Sequence, residues 1–325
     1  MTEFIDQYGR VIDYLRISIT DRCNLRCRYC MPADGIETID HEEILSYEEI
    51  RRIVEAGAEL GIKKIRLTGG EPLARKGAAK LVAMLNKIEG IEEVAMTTNG
   101  ILLSKYGKEL AEAGLERVNI SLDSLDPQKF KEITRFDKYQ QVVEGIKTAL
   151  EVGLDPVKIN VVVMKGINDD EILDFVNLTR EYNIHVRFIE FMPSGDKKAE
   201  QEERYLGIHK IKKRIKQEEK IIPTEFDTGN GPAYYYQVKD SLGSIGFISA
   251  ISNHFCSECN RLRLTATGQL RPCLFSENEI DLTQAVHNSN GAIKEKFIET
   301  VEQKPKGHSL GAEDEFLKNM SQIGG

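Results

Sequence analysis

Residues 14–20, Tyr-Leu-Arg-Ile-Ser-Ile-Thr, lead almost directly into residues 23–30, Cys-Asn-Leu-Arg-Cys-Arg-Tyr-Cys. The first run alternates apolar and polar side chains, which predicts a short strand, so the three cysteines lie on a loop at its end. Three thiols this close together can bind one metal centre, and sulfur ligands favour zinc, copper(I) or an iron-sulfur cluster. The stretch therefore predicts a strand that ends in a metal-binding loop.

The identity of that metal is left open by Cys23, Cys27 and Cys30 alone. A closed structural zinc site takes four protein ligands, whereas a cubane held by three cysteines keeps one iron open for another ligand. Zinc and an iron-sulfur cluster are equally good hypotheses at this point. A disulfide is less favoured, because the acidic N-terminus lacks the apolar segment of a signal peptide, and we expect a reducing, cytoplasmic compartment.

The chain downstream of this loop alternates between strand and helix patterns. Predicted strands cover residues 63–68, 93–98, 117–122, 157–164 and 185–191, and predicted helices cover residues 46–60, 77–88, 102–113, 139–152 and 169–182. Repeated units of this kind predict a parallel α/β sheet, either doubly wound or closed towards a barrel. In both architectures functional residues gather at the carboxyl ends of the strands.

Three of these strand ends have unusual sequences. Residues 68–72, Thr-Gly-Gly-Glu-Pro, place two glycines where the backbone must approach something closely. Residues 97–100, Thr-Thr-Asn-Gly, and residues 121–124, Ser-Leu-Asp-Ser, add hydroxyls, an amide and a carboxylate. Each motif taken alone is also compatible with an ordinary turn that caps a helix.

The pattern changes from about residue 193. Residues 194–204 are predicted as a charged loop and residues 205–220 as a basic amphipathic segment. Short strands then follow, which predict a small β-rich extension, at residues 233–238, 243–248, 262–265 and 268–272.

The extension carries the other three cysteines of the chain, Cys256, Cys259 and Cys273. Arg261 and Arg263 lie between them on one face of a predicted strand, where two guanidinium groups suit a phosphate or carboxylate. His254 is a conceivable fourth ligand, so a zinc ribbon stays open for this triad.

Composition sets outer limits on function. The chain has 325 residues, 41% of them hydrophobic and 30% charged, which is ordinary for a globular protein. No apolar run approaches the length of a membrane span. The formal net charge of −8 argues against general nucleic-acid binding, although a local basic cluster can still hold a small polyanion.

Taken together, the motifs resemble those of the radical S-adenosylmethionine (SAM) enzymes. The CxxxCxxC loop with Tyr29 before its last cysteine is similar to the signature of that superfamily, and residues 69–72 resemble its GGE motif. The second triad, the sequence Asn-Arg-Leu-Arg at residues 260–263 and the terminal Gly324-Gly325 narrow the resemblance to the branch of molybdenum cofactor biosynthesis that cyclises GTP.

The resemblance implies a fold and a set of site residues. The fold is an incomplete (βα) TIM-type barrel over residues 1–192, with a C-terminal β-rich extension, residues 193–325, closing the open side. Two [4Fe-4S] clusters are implied, one on each triad. SAM-binding positions are Tyr29, Gly70, Ser121 and Met192. GTP-binding positions are Arg16, Arg66, Thr97, Lys158, Arg187, Arg261 and Arg263.

The resemblance also implies a mechanism and partners. A 5′-deoxyadenosyl radical removes the 3′ hydrogen of GTP, C3′ joins C8, and reduction completes 3′,8-cyclo-7,8-dihydro-GTP, the reaction of a lyase. Arg261 or Arg263 is a candidate to assist the reduction, and the Gly324-Gly325 tail is a candidate to enter the cavity. Implied partners are an external reductant and, downstream, cyclic pyranopterin monophosphate synthase, with a homodimer as a candidate assembly. The alternatives are a twin-cluster enzyme acting on a peptide and a zinc-binding module.

Overall fold

A single open sheet of twelve strands runs through the computed structural model, which describes residues 3–192, 198–225 and 231–308. The strands are β1 Tyr14–Ser18, β2 Lys64–Thr68, β3 Glu93–Thr98, β4 Arg117–Ser121, β5 Val157–Val163, β6 Ile184–Glu190, β7 Ile221–Pro223, β8 Tyr234–Val238, β9 Ser244–Ile248, β10 Arg261–Leu264, β11 Gln269–Arg271 and β12 Ile280–Asp281. The strand order is β12-β11-β10-β1-β2-β3-β4-β5-β6-β9-β8-β7.

Ten helices accompany these strands in the described ranges. They are α1 Tyr47–Leu60, α2 Ala78–Leu85, α3 Leu103–Glu112, α4 Pro127–Thr134, α5 Tyr139–Glu151, α6 Ile172–Glu181, α7 Lys198–Arg204, α8 Ile208–Glu218, α9 Thr283–Asn288 and α10 Asn290–Glu302. No helix in the described ranges is both long and apolar enough to cross a bilayer.

Local sequence explains why the βα units form. The Ser46 hydroxyl accepts a hydrogen bond from the amide of Glu49, and the Glu49 carboxylate accepts one from the amide of Ser46, a capping box that fixes the start of α1. Gly61 ends the helix in the left-handed conformation that glycine adopts at little cost. The chain then turns directly into β2, and the side chains between α1 and the sheet belong to one continuous apolar core.

The C-terminal strands do not form a sheet of their own. β10 pairs in parallel with β1, and β9 pairs in parallel with β6. The extension therefore adds a strand at each edge of the partial barrel formed by β1 to β6. β11, β12, β8 and β7 then add antiparallel strands outside these two. The predicted incomplete barrel with a β-rich extension is thereby confirmed, and the extension is continuous with the barrel sheet.

Two secondary-structure predictions differ from the structure. Residues 198–204, expected to be loop, form α7. The short helix α4 was not predicted, although Asp126 caps it through the amides of Gln128 and Lys129 and Pro127 occupies its first turn. The predicted role of Gly324-Gly325 lies outside the described residues.

Candidate active site

The first triad lies on the loop that follows β1. The amides of Cys30 and Met31 both donate to the Cys27 carbonyl, which folds the loop into a tight turn, and none of the three cysteines forms a disulfide. Burial, and then the nearby Cys30, Asp123 and Cys23, raise the pKa of Cys27 well above its usual range. A cation among these thiols would offset both their burial and their mutual repulsion on ionisation, so the donor set fits a thiolate-bound metal centre.

Gly69 and Gly70 approach the backbone that leads into this loop. A Cβ on Gly69 would lie 2.3 Å from the Thr20 carbonyl oxygen, and one on Gly70 would lie 2.4 Å from that of Arg22. The Gly70 amide donates to Thr20 and the Glu71 amide to Arg22, each at 2.8 Å. The close approach predicted for these glycines is therefore made to the protein's own chain, while Gly70 also lines the cavity described below.

Tyr29 is oriented by a buried carboxylate. Its hydroxyl donates to Asp123 Oδ2 at 2.7 Å, and the Val162 amide donates to Asp123 Oδ1 at 2.8 Å. Burial raises the pKa of Asp123 to about 6, against the effect of these two hydrogen bonds. The rings of Tyr29 and Phe191 make a T-shaped contact, with 6.4 Å between ring centroids. One face of Tyr29 is thus fixed beside the first triad.

The second triad is assembled from two separate segments. Cys256 and Cys259 flank a single turn before β10, and Cys273 follows β11. Burial raises the pKa of Cys259, but Arg261 and Lys304 together outweigh it and lower that pKa to about 7. A thiol poised to ionise beside two cations is a good ligand for a soft metal.

Two histidines lie beside this triad. Ligand atoms of His254, Cys256 and His308 come within 4.8 Å of one another, and the two imidazole centroids are 4.9 Å apart. His308 also contacts the carbonyl of Ala250 through Nε2 at 3.1 Å. A zinc site with histidine ligands therefore stays an alternative for this triad, and His308 is a second candidate ligand. Sequence reasoning missed His308 because it lies more than thirty residues from the nearest cysteine.

Three arginines occupy one row across neighbouring strands. Arg263 on β10 pairs in register with Arg16 on β1, and Arg16 pairs with Arg66 on β2, so their side chains share one face. Burial and the nearby Arg263 hold the pKa of Arg16 well below its usual range, and burial with Arg261 lowers that of Arg263 to about 10. Adjacent buried cations repel one another, so this row suits a polyanion.

Lys158 and Arg187 add positive charge from β5 and β6. Lys158 is 2% exposed, and burial followed by Arg187, Arg117 and Arg66 lowers its pKa to about 6. Arg187 is also buried, and its Nε donates to Asn160 Oδ1 at 2.9 Å. Burial also lowers the pKa of Arg187. An anion bound between Lys158 and Arg187 would raise both pKa values back towards their usual range.

Some buried polar atoms in this region lack hydrogen-bond partners within the described part of the chain. They include Arg66 Nη1, Thr97 Oγ1 and Asn119 Oδ1. The Nε of Arg66 donates to the Tyr14 hydroxyl, and its Nη2 lies 3.9 Å from Glu93 Oε1. A buried donor without a partner costs about 1–3 kcal/mol, so such atoms gathered at one place indicate a polar ligand.

One cavity brings every predicted site residue together. Its lining includes all six cysteines, together with Tyr29, Gly70, Ser121, Met192, Arg16, Arg66, Thr97, Lys158, Arg187, Arg261 and Arg263. The two triads thus open onto a common space, with the basic row on its wall. The structure shows this juxtaposition, and the role of each residue stays a prediction.

The cavity also contains residues that sequence reasoning did not assign to the site. Arg117, Asn119 and Ser121 alternate along β4, which could have identified Arg117 and Asn119 as facing the same side as the predicted Ser121. Glu190 at the end of β6 accepts from the amides of Ile251 and Ser252, and so ties the barrel to the loop before the second triad. No local pattern distinguishes Glu190 from an ordinary strand terminus.

The comparisons with known proteins agree with this arrangement. Residues 17–179 match the Radical SAM superfamily, and residues 184–310 match Molybdenum Cofactor Synthesis C. The fold and site thus define a radical SAM protein. A protein of Petrotoga mobilis named GTP 3′,8-cyclase is 53% identical over 323 residues, covering 99% of this chain and 100% of that protein. One of Thermodesulfovibrio yellowstonii with the same name is 52% identical over 98% of this chain and 99% of its own length. The chain belongs to the family of these relatives.

Solved structures support the fold. Streptococcus suis SuiB bound to S-adenosylmethionine matches with a TM-score of 0.62 and 16% identity, over 88% of this chain and 68% of SuiB. SuiB bound to the precursor peptide SuiA matches with a TM-score of 0.64 and 14% identity, over 94% of this chain and 68% of SuiB. At this identity the similarity is one of fold.

Proposed function

We propose that this chain catalyses the 3′,8-cyclisation of GTP, the activity that its relatives' name states for them, and that this is the first step of molybdenum cofactor biosynthesis. The observation that carries the proposal is the row formed by Arg263, Arg16 and Arg66, with the unpartnered Arg66 Nη1, in a cavity that two cysteine triads also line. GTP carries about four negative charges near neutral pH, which these buried cations would neutralise.

In this proposal each triad holds a [4Fe-4S] cluster, and the residues around the first triad bind SAM. The first cluster and SAM, once bound and given an electron, supply the carbon radical that removes hydrogen from C3′ of GTP. The role of Tyr29 is to hold the adenine side of SAM, supported by the orientation that Asp123 imposes on it. Gly70, Ser121 and Met192 are the further proposed SAM contacts.

The residues around the second triad would hold GTP so that C3′ and C8 can join. Arg16, Arg66, Thr97, Lys158 and Arg187 are the proposed contacts, together with Arg261 and Arg263. A rigid polar clamp of this kind supplies positioning, and it excludes water that would quench a radical. We propose that Arg261 and Arg263 are also catalytic, because cations beside the purine would stabilise the negative charge that the last electron adds before a proton follows.

A peptide substrate is the second candidate from the same superfamily. The fold similarity to SuiB carries no argument for it, since the identity is only 14–16%. The buried arginine row argues against it, because an extended peptide does not require several cations gathered on one cavity wall. The zinc alternative is supported by the proximity of His254 and His308 to Cys256.

Several further features belong to the proposal. Residues 1–192 would form the SAM-binding barrel and residues 193–325 the GTP-binding extension. An external reductant would supply electrons, the product would pass to cyclic pyranopterin monophosphate synthase, and a homodimer is the candidate assembly. A cytoplasmic location is favoured because six cysteines without disulfides, at least some of them metal ligands, need a reducing compartment.

Anaerobic reconstitution and turnover test the proposal. The chain should take up about eight iron and eight sulfide, as two cubanes require, and should form 5′-deoxyadenosine from SAM and dithionite only when GTP is present. ATP serves as the substrate control, and Arg51→Gln, on the exposed face of α1, as the variant control. Stoichiometric zinc without a brown chromophore, or 5′-deoxyadenosine formation that is indifferent to GTP, would contradict it.

A further inference from the structure

Lys304 is a buried cation beside the second triad, just after the end of α10. Its side chain is among the largest that are fully buried, and the residue is 2% exposed. Nζ lies 2.6 Å from the carbonyl oxygen of Arg261, 2.8 Å from that of Pro272 and 3.6 Å from Cys259 Sγ. All three acceptors belong to the segments that carry the cysteines.

With Cys259 ionised as a metal ligand that can only accept hydrogen bonds, the geometry suits the charged form of the amine. Burial lowers the pKa of Lys304, and ionised Cys259 and Cys273 raise it. Three acceptors surround Nζ, and only an ammonium has three N–H groups to donate to them. Arg261 lies two residues after Cys259, and Pro272 immediately precedes Cys273. One lysine therefore joins both segments of the triad and also places a positive charge against a ligand sulfur.

Arg10 performs the joining role for the remaining cysteine. Its Nη1 donates to the Cys256 carbonyl at 2.7 Å, and its Nη2 donates to the Pro305 carbonyl at 2.8 Å. Its Nε is paired with Asp6 at 2.6 Å, so the charge of Arg10 is compensated locally. Lys304 differs because its polar contacts are two neutral carbonyls and a thiol, which leave its positive charge directed at the metal centre.

The first triad has different hydrogen-bond donors. Cys23 Sγ accepts from the Leu25 amide at 3.4 Å and from the Asn99 amide group at 3.9 Å, both neutral donors. Hydrogen bonds to ligand sulfurs and the net charge around a cluster both set its reduction potential. A cation in contact with a ligand sulfur favours the reduced cluster, because reduction adds a negative charge.

We propose that Lys304 is a positioning residue of the second cluster that also sets its reduction potential, keeping it higher than the same cluster would have without the lysine. This rests on the proposed function, in which Cys256, Cys259 and Cys273 hold a [4Fe-4S] cluster. The lysine acts through the cysteine sulfur and the two carbonyls, without touching substrate.

Redox titration of the holoenzyme tests the proposal. Electron paramagnetic resonance with SAM present would follow both clusters, and a variant without the first triad (Cys23→Ala, Cys27→Ala, Cys30→Ala) would assign the signal of the second. In Lys304→Met we expect the ratio of reduced to oxidised second cluster at a fixed potential to fall at least tenfold, which is about 59 mV for a one-electron couple. The first cluster should titrate as before.

Three further variants separate charge from structure. Lys306→Met removes an equal charge from an exposed position on the same segment, and it should leave the second cluster's titration unchanged. Lys304→Arg keeps the charge and should keep the potential, whereas Lys304→Gln keeps a donor but should show the full shift. If Lys304→Met does not retain the second cluster, the redox titration of Lys304→Gln replaces it.

The outcomes distinguish this inference from the proposed function. An intact second cluster whose titration is the same in Lys304→Met, Lys304→Gln and the parent protein would overturn the inference alone. Loss of the second cluster from all three Lys304 variants would also overturn it, because the lysine would then be purely structural. If instead the triad Cys256, Cys259 and Cys273 can be replaced by alanine without loss of iron, the proposed function itself fails.

Discussion

The two cysteine triads face the same cavity with opposite electrostatic surroundings. Beside the first triad lie two buried carboxylates, Glu71 and Asp123, whose pKa values are raised to about 6 by burial. Beside the second lie Arg261, Arg263 and Lys304, and Arg261 with Lys304 brings the pKa of Cys259 down to about 7 despite burial. The same set of three thiols is thus placed in an acidic environment at one end and in a basic one at the other.

The difference matches the charges of the two proposed ligands. SAM carries a sulfonium cation, and GTP is a polyanion. The triads also differ in construction, since the first lies within one loop and the second needs β10 and β11 to bring its segments together. Ligand identity at each centre can therefore be set by the surrounding side chains, with the cysteines unchanged.

Single cysteine replacements give the largest expected effects and test whether the triads are separable. Cys27→Ala should remove about four iron per chain and abolish 5′-deoxyadenosine formation. Cys259→Ala should remove a similar amount of iron and abolish cyclisation, but it should retain SAM binding because the first triad is intact. Iron analysis, product chromatography and equilibrium dialysis of SAM would measure these properties. Identical phenotypes for the two variants would contradict the separate roles of the two triads.

Gly70→Ala should disturb the first triad and spare the second. The new Cβ would lie 2.4 Å from the Arg22 carbonyl oxygen and 2.5 Å from that of Asp21, and neither backbone group can move without moving the cysteine loop. We expect a loss of about 3 kcal/mol in the free energy of unfolding and a selective loss of the first cluster, measured by urea titration and iron analysis.

Gly153→Ala is the matched control for Gly70→Ala. Gly153 has a positive φ of 78°, and a Cβ there would meet nothing within 4 Å, so only the left-handed strain of about 1–2 kcal/mol applies. Both clusters should remain in this variant. Equal cluster losses in the two glycine variants would show that general destabilisation, and no local contact, controls the first triad.

His185 links stability to pH away from both triads. It is buried on β6, where burial lowers its pKa from 6.5 to about 4. Between these pH values the unfolded chain binds a proton that the folded chain does not, so stability is present above pH 6.5 and is lost as the pH falls towards 4. The shift corresponds to about 3 kcal/mol of the free energy of unfolding.

The variant His185→Asn should remove that pH dependence. Urea titrations under anaerobic conditions at several pH values should show the deficit of the variant relative to the parent chain shrinking as the pH falls. His41→Asn, at an exposed position, should follow the parent chain throughout. If the stability deficit of His185→Asn stays constant with pH, His185 is not the source of the acid sensitivity, and the cysteine triads become the alternative source.

Two adjacent threonines give the smallest expected effect and the sharpest contrast. Thr97 Oγ1 is buried without a partner in the described residues, whereas Thr98 Oγ1 donates to Glu71 at 2.7 Å. Thr97→Val should leave the free energy of unfolding unchanged or higher, and it should weaken GTP binding about fivefold, since one hydrogen bond contributes about 1 kcal/mol. Calorimetry on the cluster-loaded protein would measure the affinity.

Thr98→Val should show the reverse pattern. Removing its hydroxyl leaves Glu71 buried with one donor fewer, which should lower the free energy of unfolding by about 1–2 kcal/mol. GTP affinity should change less than in Thr97→Val. A weaker affinity in Thr98→Val than in Thr97→Val would contradict the assignment of Thr97 to the substrate wall.

Local sequence predicted the elements of the barrel well. β3 begins and ends where alternation indicated, and α1 begins at the predicted Ser46 cap, because each signal lies within one element. It did not predict that β9 and β10 extend opposite edges of one sheet, since strand pairing over such separations leaves no local pattern.

The site was predictable to a similar depth. The cysteines, Arg261 and Arg263 were identified from motifs and the other arginines from the resemblance to the family, and the structure brings all of them to one cavity. Lys304 and His308 were missed because their contacts come from chain far away in sequence. The glycines of residues 69–70 were expected to accommodate a ligand, whereas their tight contacts are with the backbone of residues 20–22.

The parallel pairing of β10 with β1 has a consequence for the order in which the enzyme is made. β1 and the loop of Cys23, Cys27 and Cys30 leave the ribosome first, and β2 can pair with β1 long before residue 261 is synthesised. The second triad exists as a site only after β10 and β11 have joined the edge that β1 leaves open. A nascent chain would therefore be able to acquire its first metal centre before the pocket for its second substrate has been completed.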